Sequence, residues 1–159
     1  MPFDVFLRID GVEGESADAK HKGEIDVLEY DWGLAAPAST RAGGAGAGKV
    51  TFQDLRVVAR TSKASPTLFL NCATGKAAKE AVLAVRRAGA KQEDYLVVRL
   101  KTVRITSYDQ TASDEDDTPL DDVSLAFDRI EVEYRAQDPK GALGPPVKAG
   151  WDVKQSKKV

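Results

Sequence analysis

Apolar and polar residues alternate along most of this 159-residue chain, with the period of two that is typical of half-buried β-strands. The first such segment, 3–9, places four apolar residues on one face: Phe3, Val5, Leu7 and Ile9. The same pattern predicts further strands at 24–33, 50–60, 95–108, 123–134 and 150–154. A chain built from such segments is expected to be mainly β.

Several of these strands change their apolar face partway along. In 95–108 the apolar positions are even-numbered up to Leu100 and odd-numbered from Val103, and 123–134 changes between Phe127 and Ile130. A slip of one residue is what a β-bulge produces, and bulges bend strands. Bent strands that pass between sheets close a small barrel or an orthogonal sandwich, and the pattern leaves both open.

One short helix is predicted to follow residue 64. Ser65 suits the N-cap, Pro66 suits the first helical position, and Gly75 is a typical C-terminal stop. Residues 76–80 either extend this helix or lead into a strand that includes 82–85, and the pattern does not separate the two readings.

Residues 34–49 lack periodicity and are rich in glycine, which predicts a long extended loop. Within it, 43–49 fits the first seven positions of a phosphate-binding P-loop, G-x-x-x-x-G-K. The eighth position is Val50, where that motif needs a serine or threonine hydroxyl for magnesium, and a β-branched segment follows where a helix should begin. A flexible glycine loop is therefore the better interpretation.

Composition excludes several functional classes. The net charge of −2 argues against general nucleic-acid binding, and one cysteine with one histidine excludes a disulfide framework and a multi-histidine metal site. No apolar run is long enough for a membrane helix, and the N-terminal residues lack the features of a secretory signal. We predict one domain over 1–159, with no cofactor, no metal, no catalytic residue and no membrane insertion.

Two isolated reactive residues have ordinary structural interpretations. His21 lies in a charged loop, where a hydrogen bond to backbone or a carboxylate is expected, and no serine has the glycine pattern of a nucleophile elbow. Cys72 lies among apolar neighbours on the predicted helix and is interpreted as a small core residue.

Two segments carry opposite charge. The stretch 106–128 contains eight acidic residues and no basic one, but it lacks the spacing of a calcium loop and is interpreted as a solvated hairpin tip. The C-terminal end carries lysines and is expected to be a flexible tail at 155–159. Because no catalytic constellation is present, the residues favour a binding or assembly module.

The motifs resemble one known family. The run 12–21 (VEGESADAKH), the following EIDVL at 24–28 and the pair Trp32-Gly33 resemble the haemolysin-coregulated protein (Hcp) family, which forms the tube of the bacterial type VI secretion system. Further matches follow in family order: 43–50, 53–55, Ser65-Pro66, Cys72-Ala73, Gly75-Lys76, 87–89, Glu93, Tyr95-Leu96, Ser107-Tyr108 and Gly150-Trp151.

The resemblance implies a fold and an assembly. It implies a small closed β-barrel of two sheets with one flanking α-helix and a long extended loop. It also implies a homo-hexameric ring that stacks on neighbouring rings, inside a contractile sheath and behind the spike protein VgrG, with small effector proteins as cargo. The family does no known chemistry. The subunit would be cytoplasmic before assembly and would then leave through the apparatus without a cleaved signal peptide.

The resemblance also suggests roles for individual residues. The extended loop is expected to stack rings through Arg41, Gly43, Gly44, Gly46, Gly48 and Lys49. The channel and its cargo are expected to meet Glu29 and Asp31, on the opposite face from Leu28, Tyr30 and Trp32. Electrostatic help in stacking is expected from Asp114, Glu115, Asp116 and Asp117 and from Lys154, Lys157 and Lys158.

Two other classes stay open at this stage. One is a monomeric ligand-binding β-barrel, which requires an apolar internal cavity. The other is a P-loop nucleotide-binding enzyme that depends on Lys49.

Overall fold

The computed structural model describes residues 3–37, 49–88 and 92–159. Within these ranges it contains ten strands and one helix, in the following chain order: β1 (Phe3–Ile9), β2 (Ile25–Asp31), β3 (Leu34–Ala35), β4 (Thr51–Phe52), β5 (Leu55–Arg60), α1 (Ala64–Thr74), β6 (Ala77–Arg87), β7 (Asp94–Thr111), β8 (Leu120–Gln137), β9 (Leu143–Asp152) and β10 (Lys157–Lys158).

Six antiparallel strands close a barrel. The order is β8-β5-β2-β1-β6-β7, and β7 pairs with β8 again to complete the circle. Strands β9 and β10 extend the sheet from the second half of β8, while β3 and β4 form a separate two-stranded ribbon. The prediction of a mainly β, closed barrel with one helix is confirmed, and the sandwich alternative is excluded.

The barrel interior is filled with aliphatic side chains. The largest fully buried ones come from five different strands: Leu7, Leu55, Leu83, Leu100 and Leu125. Beneath α1 the interior leaves a cavity of about 10 Å³, which is at the lower limit of what one water molecule needs. The interior among the described residues therefore offers no room for an organic ligand.

The predicted face changes in β7 and β8 occur at one shared point. Lys101 pairs with Arg129 and Val103 pairs with Phe127, so the register is the same on both sides of the change. Between these pairs Thr102 has a φ of 53°, a left-handed conformation that is rare for a β-branched residue. The strands therefore bend here without a bulge, whereas the register shift in this pair lies between Ile105 and Ser107.

Strand β2 contains a bulge of the predicted kind. Its register against β5 shifts between Val27 and Glu29, so Tyr30 packs against the same core as Val27. Leu28 was expected to face the core with Tyr30 and Trp32. It is only half-buried and lies outside the core cluster that Tyr30 and Trp32 contact, because it occupies the bulge.

The prediction of one strand over 50–60 is wrong. The segment breaks at 53–54 into β4 and β5, which pair in different sheets. The backbone N–H of Gln53 donates to the carbonyl of Gly33 at 2.8 Å, which fixes the corner between the barrel and the ribbon. The expected loop over 34–49 correspondingly begins with β3, which pairs with β4.

The helix begins earlier than predicted. It starts at Ala64, and Ser65 lies inside its first turn instead of at the N-cap. The hydroxyl of Ser62 accepts the N–H of Ala64 at 3.1 Å, while the hydroxyl of Ser65 accepts the N–H of Ser62 at 3.0 Å. Gly75 ends the helix in the left-handed conformation, as predicted, and β6 then begins at Ala77.

The C-terminal residues differ from the expected flexible tail. Strand β9 begins at Leu143, well before the predicted position 150, and Lys157–Lys158 pair with Asp152 and Trp151 as β10. Asp152 is buried and accepts the N–H of Gln155 at 2.7 Å and a hydrogen bond from Arg129 Nε at 3.0 Å. These bonds hold the pKa of Asp152 below its ordinary value and order the turn that leads into β10.

Candidate functional site

An exposed charged cluster covers the outward face of β2 and β5. Arg56 Nη1 lies 3.4 Å from Glu29 Oε1 and 3.1 Å from Asp31 Oδ2, and both carboxylates are exposed. Arg56 Nη2 contacts Asp122 Oδ2 at 2.6 Å, and Asp122 followed by Asp31 holds the pKa of the guanidinium above its ordinary value. Three carboxylates around one cation leave this surface, which we call the β2 face, negatively charged.

The β2 face includes both residues that were expected to meet cargo. Glu29 and Asp31 point away from the barrel core, as expected from their position opposite Tyr30. Arg56 and Asp122 give no sign of this cluster in the sequence, because they lie 66 residues apart and only the pairing of β5 with β8 brings them together.

The base of the extended loop lies beside an apolar groove. The groove has a volume of about 600 Å³, and Lys49 is the only charged residue among the described residues that line it. Ribbon residues form one wall and the second half of β8 with β9 forms the other. Arg41, Gly43, Gly44, Gly46 and Gly48, predicted to stack rings, lie outside the described residues. Lys49 is exposed and leads into strand β4, so the described chain does not open a helix where a P-loop requires one.

The four acidic residues expected to aid stacking lie on an exposed turn. Asp114, Glu115, Asp116 and Asp117 are exposed in the connection between β7 and β8, which agrees with the predicted hairpin tip. Ser113 Oγ lies 3.2 Å from Asp116 Oδ2 and shapes this turn, which we call the acidic turn.

Asp121 does not belong to the solvated hairpin tip. It is buried and accepts hydrogen bonds from Thr61 Oγ1 at 2.8 Å, from Tyr108 Oη at 3.1 Å and from the Ser65 hydroxyl. Burial, followed by the bond to this carboxylate, raises the pKa of Tyr108. Asp121 therefore fastens α1 to the barrel, a role that its acidic neighbours concealed in the sequence.

The lysines of the C-terminal segment are exposed but lie far from the acidic turn. Lys154, Lys157 and Lys158 follow β9, which pairs with the second half of β8, whereas the acidic turn precedes the first residue of β8. The stretch of β8 from Leu120 to Arg129 spans about 30 Å in extended form. Ion pairs between the two segments would therefore have to form between different copies of the chain.

Comparison with known proteins decides the family. The model of the family described as type VI secretion system effector, Hcp, matches residues 6–134. Protein hcp1 of Pseudomonas aeruginosa is 40% identical over 159 residues, which cover 98% of each chain. The chain belongs to the Hcp family.

Solved Hcp structures share the whole fold. The crystal structure of Hcp1 from Salmonella typhimurium has 34% identity and a TM-score of 0.85, with full coverage of both chains. A type VI secretion system effector from Yersinia pestis has 31% identity and a TM-score of 0.78, and the match covers 94% of this chain and 100% of that one. The Hcp family consists of secreted, structural proteins of the type VI secretion system and is not an enzyme family. The helix of the described chain is too short to cross a membrane.

The motif at 12–21 has a structural role in this Hcp chain. His21 stacks on Phe6 with ring centroids 4.3 Å apart, and its two ring nitrogens contact Glu24 at 3.0 Å and Asp94 at 2.9 Å. The expected carboxylate partner of His21 is therefore present. Arg86 also lies over Phe6, at 4.8 Å from the ring centroid, and it binds Asp18, so the loop between β1 and β2 is held against the outside of the barrel.

Proposed function

We propose that this chain is the tube subunit of a type VI secretion apparatus. Six copies form a ring around an open channel, and the rings stack into a tube that meets VgrG at its tip and the contractile sheath outside. Family membership supports this role, together with a barrel whose interior is already filled. A subunit of this kind has only its outer surfaces available for binding.

We infer that the β2 face lines the channel. Glu29 and Asp31 are both exposed there, and each forms an ion pair with Arg56. An exposed charged surface of this kind suits a water-filled channel better than a packed subunit contact. Arg56 holds both carboxylates in place, so that cargo meets a preorganised charged surface. Small effector proteins bound there would be retained by weak, screened contacts.

Stacking of rings is assigned to the extended loop, with charge in a secondary role. The described ends of the loop over 34–49 belong to the ribbon of β3 and β4, which is a separate sheet from the barrel. The acidic turn and Lys154, Lys157 and Lys158 are exposed and lie too far apart to meet within one subunit. Each exposed ion pair contributes only about 0–1 kcal/mol, but six subunits repeat it around the ring.

Two alternatives are disfavoured. A ligand-binding barrel needs an internal cavity, and the space beneath α1 is about 10 Å³. A P-loop enzyme needs a helix after Lys49, and the chain forms β4 there. The subunit is proposed to reside in the cytoplasm until it is exported through the apparatus itself.

Electron microscopy of the purified protein tests the proposal. Class averages should show rings with six-fold symmetry and an open centre. Images that show only particles the size of a single subunit, at high micromolar concentration and moderate salt, would contradict it.

A further inference from the structure

Helix α1 presents apolar side chains to solvent as well as to the barrel. It buries Ala64, Ser65, Leu68 and Asn71, whereas Phe69 and Leu70 are 58% and 55% exposed. Pro66 and Ala73 are exposed as well, and none of the eleven residues of α1 is charged. The exposed side of a surface helix in a monomer is normally polar and charged, and depletion of charge is typical of the centre of a protein interface.

The other exposed large apolar side chains of the described chain lie elsewhere. They are Leu34 (55%), Tyr134 (47%), Val147 (70%) and Val159 (52%). Tyr134 pairs with Val147 across β8 and β9, on the face that also carries the pair Ile130 and Trp151. Leu34, Ile130 and Trp151 line the apolar groove, so this second patch continues the groove outward.

The lining of the groove favours an apolar occupant. Lys49 is the only charged residue among the described residues that line it, and most of the others are aliphatic or aromatic. Such walls fit an apolar protein segment better than they fit a charged ligand.

We propose that α1 of one subunit docks, through Phe69 and Leu70, into the apolar groove of its neighbour in the ring. Each chain carries one of each surface. The helix follows β5 and lies against β7, while the groove lies between the ribbon and the β8–β9 pair, so one copy cannot join its own two surfaces. A contact between two different patches is heterologous, and such contacts close rings. This inference rests on the proposed ring.

Cross-linking between two different variants tests the contact. In a Cys72→Ala background, protein carrying Leu70→Cys is mixed with tagged protein carrying Leu34→Cys, subunits are exchanged, and a short bis-maleimide is added. We expect a covalent heterodimer on a denaturing gel. Glu29→Cys, which replaces an equally exposed side chain on the proposed channel surface, serves as the control partner for Leu70→Cys and should give none.

A pair of opposite charges introduced across the proposed contact supplies the second measurement. Leu70→Glu should raise the concentration at which rings dissociate about 30-fold or more, as loss of a central interface residue does. Combining it with Val147→Lys should recover most of that loss, whereas Val147→Lys with Leu70 unchanged should not. Unchanged thermal unfolding of the dissociated subunits would show that the variants fold.

The outcomes separate this inference from the ring itself. Wild-type rings together with no heterodimer, and with Leu70→Glu rings as stable as wild type, would overturn the docking while leaving the ring in place. A wild-type protein that never forms rings would overturn the proposed function and this inference with it.

Discussion

Asp18 and Arg86 form a two-point ion pair across 68 residues of sequence, with Arg86 Nη1 at 2.9 Å from Asp18 Oδ2 and Nη2 at 2.5 Å from Oδ1. Asp18 belongs to the loop between β1 and β2, and Arg86 lies near the end of β6. Both side chains are nearly inaccessible to solvent. Asp18 belongs to the motif at 12–21, and Arg86 belongs to the barrel strand β6, where it also covers Phe6. The ion pair therefore holds this motif against the barrel.

Asp18→Asn should destabilise the protein at neutral pH. Hydrogen bonds from Arg86 hold the pKa of Asp18 below its ordinary value of 3.8, so the pair stabilises the fold above that pH and loses its effect as the pH falls through the lowered pKa. We expect a loss of about 2 kcal/mol in the free energy of unfolding at pH 7, because the buried guanidinium loses its two-point carboxylate partner and retains only Asp4, at 3.5 Å from its Nε.

The difference between wild type and Asp18→Asn should shrink steadily below about pH 4. Urea unfolding at one fixed protein concentration, at pH 7, 5 and 3, measures it. Asp26→Asn, at an exposed position on β2, is the matched control and should change stability little at any pH. A difference that stayed constant down to pH 3 would contradict the assigned role of the ion pair.

Asp31→Arg should reduce retention of cargo without breaking the ring. The change places a second cation beside Arg56 and removes the net negative charge of the β2 face. Co-purification of an effector with assembled rings measures the effect, and Glu115→Arg, which makes the same charge change on the acidic turn, should retain cargo normally. Disruption of rings by Asp31→Arg would show that this residue lies between subunits instead of in the channel.

Shortening residues 41–48 should abolish tubes and secretion but leave single rings. The loop contributes little side-chain mass, and its glycines allow the backbone to lie close to another surface. Electron microscopy and a secretion assay of the shortened variant measure the two effects. Tubes of normal length from this variant would refute the stacking role of the loop.

Neutralising the acidic turn should weaken tubes mainly at low salt. Asp114, Asp116 and Asp117 are changed to Asn and Glu115 to Gln, which removes charge while keeping side-chain size. Exposed charges are screened within about 8–10 Å at 0.1–0.15 M salt, so wild-type and variant tubes should become similar in length as salt rises. If wild-type tube length does not depend on salt, the electrostatic contribution is refuted.

Local pattern was enough to predict five of the six barrel strands, but it left β6 open between a strand and a longer helix. The face changes between Leu100 and Val103 and between Phe127 and Ile130 are visible in the sequence, because apolar side chains are buried on both sides of each bend. The break at 53–54 shows in the sequence as a one-residue slip of the apolar positions between Phe52 and Leu55, but the pattern alone does not reveal that β4 pairs in a separate sheet.

The charged residues show the same division. Glu29 and Asp31 were recognisable as outward-facing from the alternation within β2. The contacts of Arg56 with these carboxylates depend on the pairing of separate strands. The buried Asp121 accepts hydrogen bonds from three hydroxyl groups, which come from β7, from α1 and from the segment before α1. An acidic residue in an acidic segment gives no local sign of burial, since its partners alone decide it.

The native mass of the purified protein tests the central claim most directly. Sedimentation equilibrium or native mass spectrometry, at several concentrations and at low and moderate salt, should give six times the 17.1 kDa subunit mass. A mass equal to one subunit, persisting at high micromolar concentration in both salts, would contradict the assignment of this chain as a ring-forming tube subunit.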